Sequence, residues 1–346
     1  AAFDDPTWPY TKNSNATANP VAQLEGKKDI AKSYVFQGNI EGTYKTHGLE
    51  NLVWHANYGW NLASSKQNTD CYNWGTDALY YGNTGSTTKH NRNISFNAYT
   101  QWMDDIDAAD QHYDVMVGYE WQHIYAESRG NYWGIYPDTN NNPDKRGTKY
   151  NETNPDGVWG KTENYIVSFF GRANYNLLGR YGLTATVRYD GSSRFEDHWA
   201  LFPAFAFAWN FKEEAFLKDV DVMNEGKLRL SYGQTGQQEI GSDYAYFASY
   251  NETFNQQGDG HWYPVLGDGN LQRPNAYNKS LKWETTTTYN AGLDLGFFDN
   301  RFTLNADVYY RETTDLINDV YVSAGSNFRN KVKGNIGSLE NKGFEV

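Results

Sequence analysis

The sequence predicts an all-β protein, an antiparallel up-and-down transmembrane β-barrel. Three observations predict it: a hydrophobic period of two along nearly the whole chain, connections that alternate between short and long, and aromatic residues gathered at strand ends. Tyr181, Leu183, Ala185, Val187 and Tyr189 alternate with Gly182, Thr184, Thr186, Arg188 and Asp190, so one face is apolar and the other small, polar or charged. Phe302 to Arg311, Lys227 to Tyr232 and Leu52 to Leu62 repeat the pattern. Successive side chains of a strand point to opposite faces, so this pattern puts two different media on the two sides of one sheet.

Taken in order, the strand segments are 32–46, 49–64, 90–105, 111–127, 162–177, 180–191, 199–211, 226–236, 281–297 and 301–315, with a last one beginning near 338. Several sustain alternation for about twice the 5–6 residues usual in soluble domains, as tilted membrane-spanning strands do. Thr46-His47-Gly48, Ile106 to Asp110, Leu178-Gly179 and Phe298-Asp299-Asn300 are short links. The link 212–225 is longer, and Glu213 to Asp219 within it reads as one or two helical turns. Long polar connections fall at 65–89, 128–161, 237–280 and 316–337, with a shorter one at 192–198. Short turns at one end and elaborated loops at the other are the habit of outer-membrane barrels.

A soluble β-sandwich or propeller that handles carbohydrate is the other reading. A sandwich interior needs interdigitating aliphatic residues, whereas here Trp54, Trp60, Trp102, Trp121 and Trp209 sit near strand ends, as interfacial girdles require. No blade-length repeat supports a propeller. Composition closes other routes. The chain holds 18 Phe, 28 Tyr and 12 Trp, which excludes disorder. Its net charge of −12 and the lack of a basic stripe argue against a nucleic-acid partner. No apolar run is long enough for a transmembrane helix. Cys71, the one cysteine, cannot form an internal disulfide and reads as a thiol in a loop.

Catalytic chemistry has no foothold. Asp104-Asp105, Glu213-Glu214 and Asp219 with Asp221 are adjacent or in turns rather than convergent. His55, His112 and His123 are isolated, with no metal-ligand spacing, and no nucleotide or nucleophile-elbow motif occurs, so neither enzyme activity nor a cofactor is expected. Asp190-Gly191-Ser192-Ser193-Arg194 follows a strand without opening a helix, which makes it a turn rather than a phosphate cradle. Asn174, Arg172, Arg188, Asp190, Arg229, Asp307 and Arg311 fall on the polar face.

Phe169-Phe170-Gly171-Arg172-Ala173-Asn174-Tyr175, Leu183 to Phe195 and Leu201-Phe202-Pro203 closely resemble the barrel of SusC/RagA-type TonB-dependent transporters. Lys227 to Gln238, Leu281-Lys282-Trp283-Glu284-Thr285-Thr286, Gly292-Leu293-Asp294, Asp307-Val308-Tyr309-Tyr310 and Asn335 to Glu345 follow in the family's order. The resemblance is carried by residues 165–346, and residues 1–160 join it by continuity of pattern. It implies a barrel of about 22 strands with a plugged lumen, lying in the bacterial outer membrane. It further implies energy coupling through TonB, a SusD-like surface lipoprotein as cap, and an oligosaccharide or peptide as the imported substrate. Eleven strands are half of such a barrel, and a sheet with two open edges cannot sit alone in lipid. Residues 1–346 are therefore expected to be one stretch of a single barrel domain in a longer polypeptide, with 1–31 as a lead-in and the plug and remaining strands outside it. A passive porin is the energy-independent alternative. Trp74, Tyr132, Trp133, Trp159, Trp262 and Tyr263 are the loop aromatics placed to stack on substrate or pack against the capping partner, although packing within the loops is their more ordinary role.

Overall fold

The computed structural model describes residues 27–72, 82–106, 110–135, 149–150, 158–252, 272–323 and 331–346. Eleven long strands run in sequence through one antiparallel sheet: β1 (Lys27–Thr46), β2 (Leu49–Tyr72), β3 (Gly82–Ile106), β4 (Gln111–Ile135), β6 (Val158–Leu177), β7 (Tyr181–Ser192), β8 (Trp199–Asn210), β9 (Met223–Gln237), β12 (Glu284–Phe297), β13 (Phe302–Thr314) and β16 (Leu339–Glu345). The two-residue β5 (Lys149–Tyr150) adds to β4. Two small ribbons, β10 (Tyr250–Glu252) with β11 (Gln272–Pro274) and β14 (Ile317–Tyr321) with β15 (Lys331–Asn335), stand off the main sheet. No helix among the described residues is long and apolar enough to cross a membrane. The strands thus follow the order and number that the alternation predicts.

Their outer ends do not follow the prediction. The strands β2, β3, β4 and β6 extend to Tyr72, from Gly82, to Ile135 and from Val158, so the expected connections 65–89 and 128–161 are much shorter. Cys71 and Tyr132 to Trp133 consequently lie in β2 and β4, and Trp159 lies in β6, rather than in loops. The reason is that neighbouring strands continue to pair beyond the level where one face is apolar, and a segment such as Gln67-Asn68-Thr69 carries no alternation to read. The link after β8 opens with a 3-10 turn, Phe211–Glu213, followed by a turn closed by Lys218 N to Glu214 O at 2.8 Å, so the expected one or two helical turns take the form of short separate turns.

The short turns are built from left-handed residues. Leu178 and Gly179 have φ of 58° and 62°, closed by a bond from Arg180 N to Leu177 O of 3.0 Å. Asp299 and Asn300, at 56° and 57°, are closed by Arg301 N to Phe298 O at 3.1 Å. Two central residues of positive φ match the twist of the paired strands, and Asp and Asn tolerate that region best after glycine.

The packing divides the chain into two units, Ala1–Asn39 with Gly59–Ile94 and His123–Glu163, and Ile40–Tyr58 with Ser95–Gln122 and Asn164–Val346. In the second unit two registered rows define an apolar face. Ala185, Phe205, Tyr232, Tyr289, Tyr310 and Lys342 oppose one another across six strands. Ring centroids along that row stand 6.4, 5.2 and 6.3 Å apart. The next row runs Leu183, Phe207, Leu230, Ala291, Val308 and Phe344. Leu183, Val187, Leu201, Phe205 and Val308 are 45–61% exposed. A second aromatic level lies at the turn end, where Phe297 and Phe302 are 6.3 Å apart and Trp209 meets Phe211 at 5.7 Å. From Tyr289 to Phe297 the strand covers about 26 Å. In the first unit, Phe36 and Trp60 lie 6.0 Å apart, and Trp60 rests on Gly38, where a Cβ would meet the ring at 2.7 Å.

A buried hydrophobic cluster forms at the long-connection end of the second unit. Phe195, Phe202, Ile240, Leu281 and Trp283 pack together, with Ile317 of the β14–β15 ribbon against them. Phe202 stands in register with Arg188, so the cluster lies over the polar face of the sheet. The Trp283 indole N–H donates to His198 O at 3.2 Å. Because Phe195 is fully buried, Phe195→Ala is expected to cost this cap about 3–5 kcal/mol. Hydrogen exchange should quicken across 192–198 and 238–247 while β7 and β8 amides keep their protection.

Candidate functional site

The polar face is a set of ion pairs laid across strands. Arg188 on β7 donates to Glu120 of β4 at 2.7 Å, to Asp190 at 2.7 Å and to Ser168 of β6 at 2.8 Å. Arg229 on β9 makes a two-point contact with Asp294 of β12, at 2.7 and 2.9 Å, and reaches Asp307 of β13 at 3.0 Å. The guanidinium is a planar fork of donors, which is why one arginine can tie three strands. Gly292 makes room for it: this residue is in register with both Arg229 and Asp307, and a Cβ there would meet Asp307 Oδ1 at 2.5 Å and Arg229 Cζ at 2.6 Å.

Nearer the short turns, Asp114 accepts from Gln101 at 2.9 Å and Asn174 at 3.2 Å, with Arg172 at 3.9 Å, and Asn174 accepts from Thr184 at 2.9 Å. Six of the seven polar-face residues expected from the sequence, Asn174, Arg172, Arg188, Asp190, Arg229 and Asp307, therefore join these networks. Among the described residues no group of three acidic, histidine or cysteine side chains could hold a metal ion. The acids are engaged by arginine, amide or hydroxyl groups, an arrangement that fixes charge against water rather than moving protons.

At the short-turn end, Glu214 accepts from the Tyr181 hydroxyl and from the Trp209 indole at 3.1 Å, with Arg180 at 3.4 Å. The Tyr181 hydrogen bond, followed by that of Trp209, holds the Glu214 carboxyl below its usual range. Lys212 donates to the carbonyls of Leu217, Lys218 and Val220 at 2.8–3.0 Å, which shapes the rest of the link.

The sequence reading missed the cap's central pair. Arg194, in the expected turn after β7, points into the protein and donates to Asp243 at 3.0 Å, to Glu239 at 2.8 Å and to the Gln238 carbonyl at 3.2 Å. Asn164 of β6 donates to Asp243 at 3.4 Å. Arg194 and Asp243 side chains are only 10% and 3% exposed. Ile240, an apolar residue outside any alternating run, was the available signal. Of the aromatic residues proposed as contacts, Trp74, Trp262 and Tyr263 lie outside the described residues, while Tyr132, Trp133 and Trp159 occupy the outer parts of β4 and β6.

A depression of about 860 Å³ opens on the apolar face instead, lined chiefly by Leu183, Phe205, Leu230, Tyr289 and Val308. It is the trough between the aromatic row and the aliphatic row, and it offers no convergent polar groups to orient a substrate.

Asp243→Asn, which leaves the buried Arg194 without its charge partner, should loosen the cap by about 3–5 kcal/mol, whereas Glu239→Gln at the exposed partner should cost under about 1 kcal/mol. The Arg194 guanidinium holds the Glu239 carboxyl below its ordinary value of 4.5. That stabilisation is complete above pH 4.5 and fades as the pH falls through the depressed value. Hydrogen exchange of 238–247 measured from pH 7 down to 3 checks both, and Glu239→Gln should flatten the acid response.

A model of the TonB dependent receptor-like β-barrel matches residues 2–346. The chain is 43% identical over 352 residues to the TonB-dependent receptor SusC of Bacteroides thetaiotaomicron, covering 99% of this chain and 33% of that protein. It is 31% identical over 360 residues to the TonB-dependent receptor P3 of Formosa agariphila, covering 97% and 33%. The chain spans about a third of the length of these relatives. Among solved structures, the RagAB peptide transporter superposes with a TM-score of 0.77 at 21% identity, over 97% of this chain and 36% of that one. The copper transporter OprC gives 0.52 at 12%, over 92% and 44%. At those identities the likeness is one of fold. With the two-faced sheet, its short and long connections and a family model that spans nearly every residue, the chain belongs to the TonB-dependent receptor-like β-barrel family.

Proposed function

We propose that this chain is wall and outer mouth of a nutrient importer of the bacterial outer membrane, energised through TonB and paired with a SusD-like surface lipoprotein. An oligosaccharide or peptide is its cargo. The observation that carries the reading is the division of one sheet into an exposed apolar face and an ion-paired polar face. Exposed Leu183, Val187, Leu201, Phe205 and Val308 have hydrocarbon as their natural solvent, which a soluble carbohydrate-binding protein would not offer. The face that carries Arg188 and Arg229 then lines a wet lumen. The long connections, including the cap over that face, belong outside the cell, and the 298–300 turn belongs in the periplasm. A capped lumen favours gated import over the open passage of a porin.

The receptor that contains this chain should lose uptake of its substrate when TonB is removed and keep surface binding. Uptake that persists without TonB, or chemical conversion of the substrate by the purified receptor, contradicts the reading. Val308→Arg on the apolar face should destabilise the folded receptor by about 2–4 kcal/mol in lipid, and Asn305→Arg on the other face by much less, as read by urea titration in vesicles.

A further inference from the structure

The first unit carries charge in a pattern that the import reading does not use. Phe36, Trp60 and Leu62 are followed on the same face, toward the long connections, by cations on every strand. By the two-residue alternation Lys28 and Lys32 share the face of Phe36, and Lys66 that of Leu62. Arg92 and Lys161 both lie over the Tyr125 ring, at 5.1 and 5.4 Å, which places β3, β4 and β6 on one side. Arg129 bonds Glu127 on β4, and Glu163 bridges Lys161 at 3.2 Å and His123 at 3.0 Å. Among the side chains described on this face, the six cations Lys28, Lys32, Lys66, Arg92, Arg129 and Lys161 stand against two carboxylates, Glu127 and Glu163. The chain as a whole has a net charge of −12. A groove of about 440 Å³, walled by Phe36, Leu62, His90, Arg92 and Tyr125, takes one of these cations, Arg92, into its lining beside the apolar residues.

We infer that this belt and groove hold the phosphate-bearing headgroups of outer-leaflet lipid. Two features select that occupant. The belt continues directly from exposed apolar residues, Phe36 at 63% and Leu62 at 38%, so whatever fills the groove must be apolar below and polar above. The excess of cations on an otherwise acidic chain complements an anionic headgroup, and guanidinium forks suit phosphate oxygens. A phosphorylated lipid meets both demands: its phosphate meets Arg92, with Lys66 on the same face beyond Leu62, and its chains run along Phe36 and Leu62. The role is to seat the receptor wall in a densely charged leaflet.

The inference rests on the outer-membrane reading, and the test separates the two. The full receptor, extracted in mild detergent, is titrated with bisphosphorylated lipid A and with its dephosphorylated form, and retained lipid is counted by native mass spectrometry. The parent should retain the phosphorylated form at least about tenfold better. Lys66→Glu combined with Arg92→Glu should remove most of that preference, at about fivefold per cation in low salt, while Lys333→Glu in the β14–β15 ribbon leaves it unchanged. Heat-modifiable migration confirms that each variant is folded. Equal retention of both lipids, or a preference that survives the double substitution, overturns the inference while leaving the import reading intact. Absence of the parent receptor from the outer-membrane fraction overturns both.

Discussion

Everything in this sheet depends on the pairing of backbone N–H and C=O groups between neighbours. In hydrocarbon no water replaces a missing partner, so each strand must run beside its neighbours with its backbone groups paired. The pairings of β6 with β7, β7 with β8, and β12 with β13 show that continuity over eleven to thirteen consecutive residues, without a register shift. Once register is fixed, period two divides the side chains, and the residues of one strand meet two solvents at once. The aromatic row from Phe205 to Tyr310 and the arginine networks on the reverse side are two consequences of one constraint.

The polar face shows how charge is tolerated beside an apolar slab. Arg229 neutralises Asp294 and Asp307 at once, and Gly292 lies between them because only a residue without a side chain leaves the guanidinium its path. Arg188 plays the same part for Glu120 and Asp190. Paired in this way, the charges of these arginines are compensated within the sheet itself. The specific structure is concentrated at the outer end, where Arg194 and Asp243, 49 residues apart, lock a loop and a long connection over the polar face.

The strands were legible because lipid-type burial writes itself as alternation: Leu183, Ala185 and Val187 against Thr184, Thr186 and Arg188 leave one reading. Their outer ends were not, since past the apolar level both faces meet water and Gln67 to Thr69 obey no pattern. That is why the sequence places Tyr132, Trp133 and Trp159 in loops while the paired strands run on through them. The cap was hidden for a different reason. Arg194 and Phe195 come from one connection and Asp243 and Trp283 from another, and a contact between distant irregular segments leaves no periodic trace.

The central claim is that the two faces of one strand touch different solvents. Spin labels placed singly at each position from 302 to 314 in the receptor, reconstituted in lipid bilayers, would read this directly through their exposure to oxygen and to a water-soluble nickel chelate. The account predicts strict alternation through β13, with Leu304, Ala306 and Val308 favouring oxygen and Asn305, Asp307 and Tyr309 favouring the chelate. Uniform exposure to the chelate along the strand would contradict it.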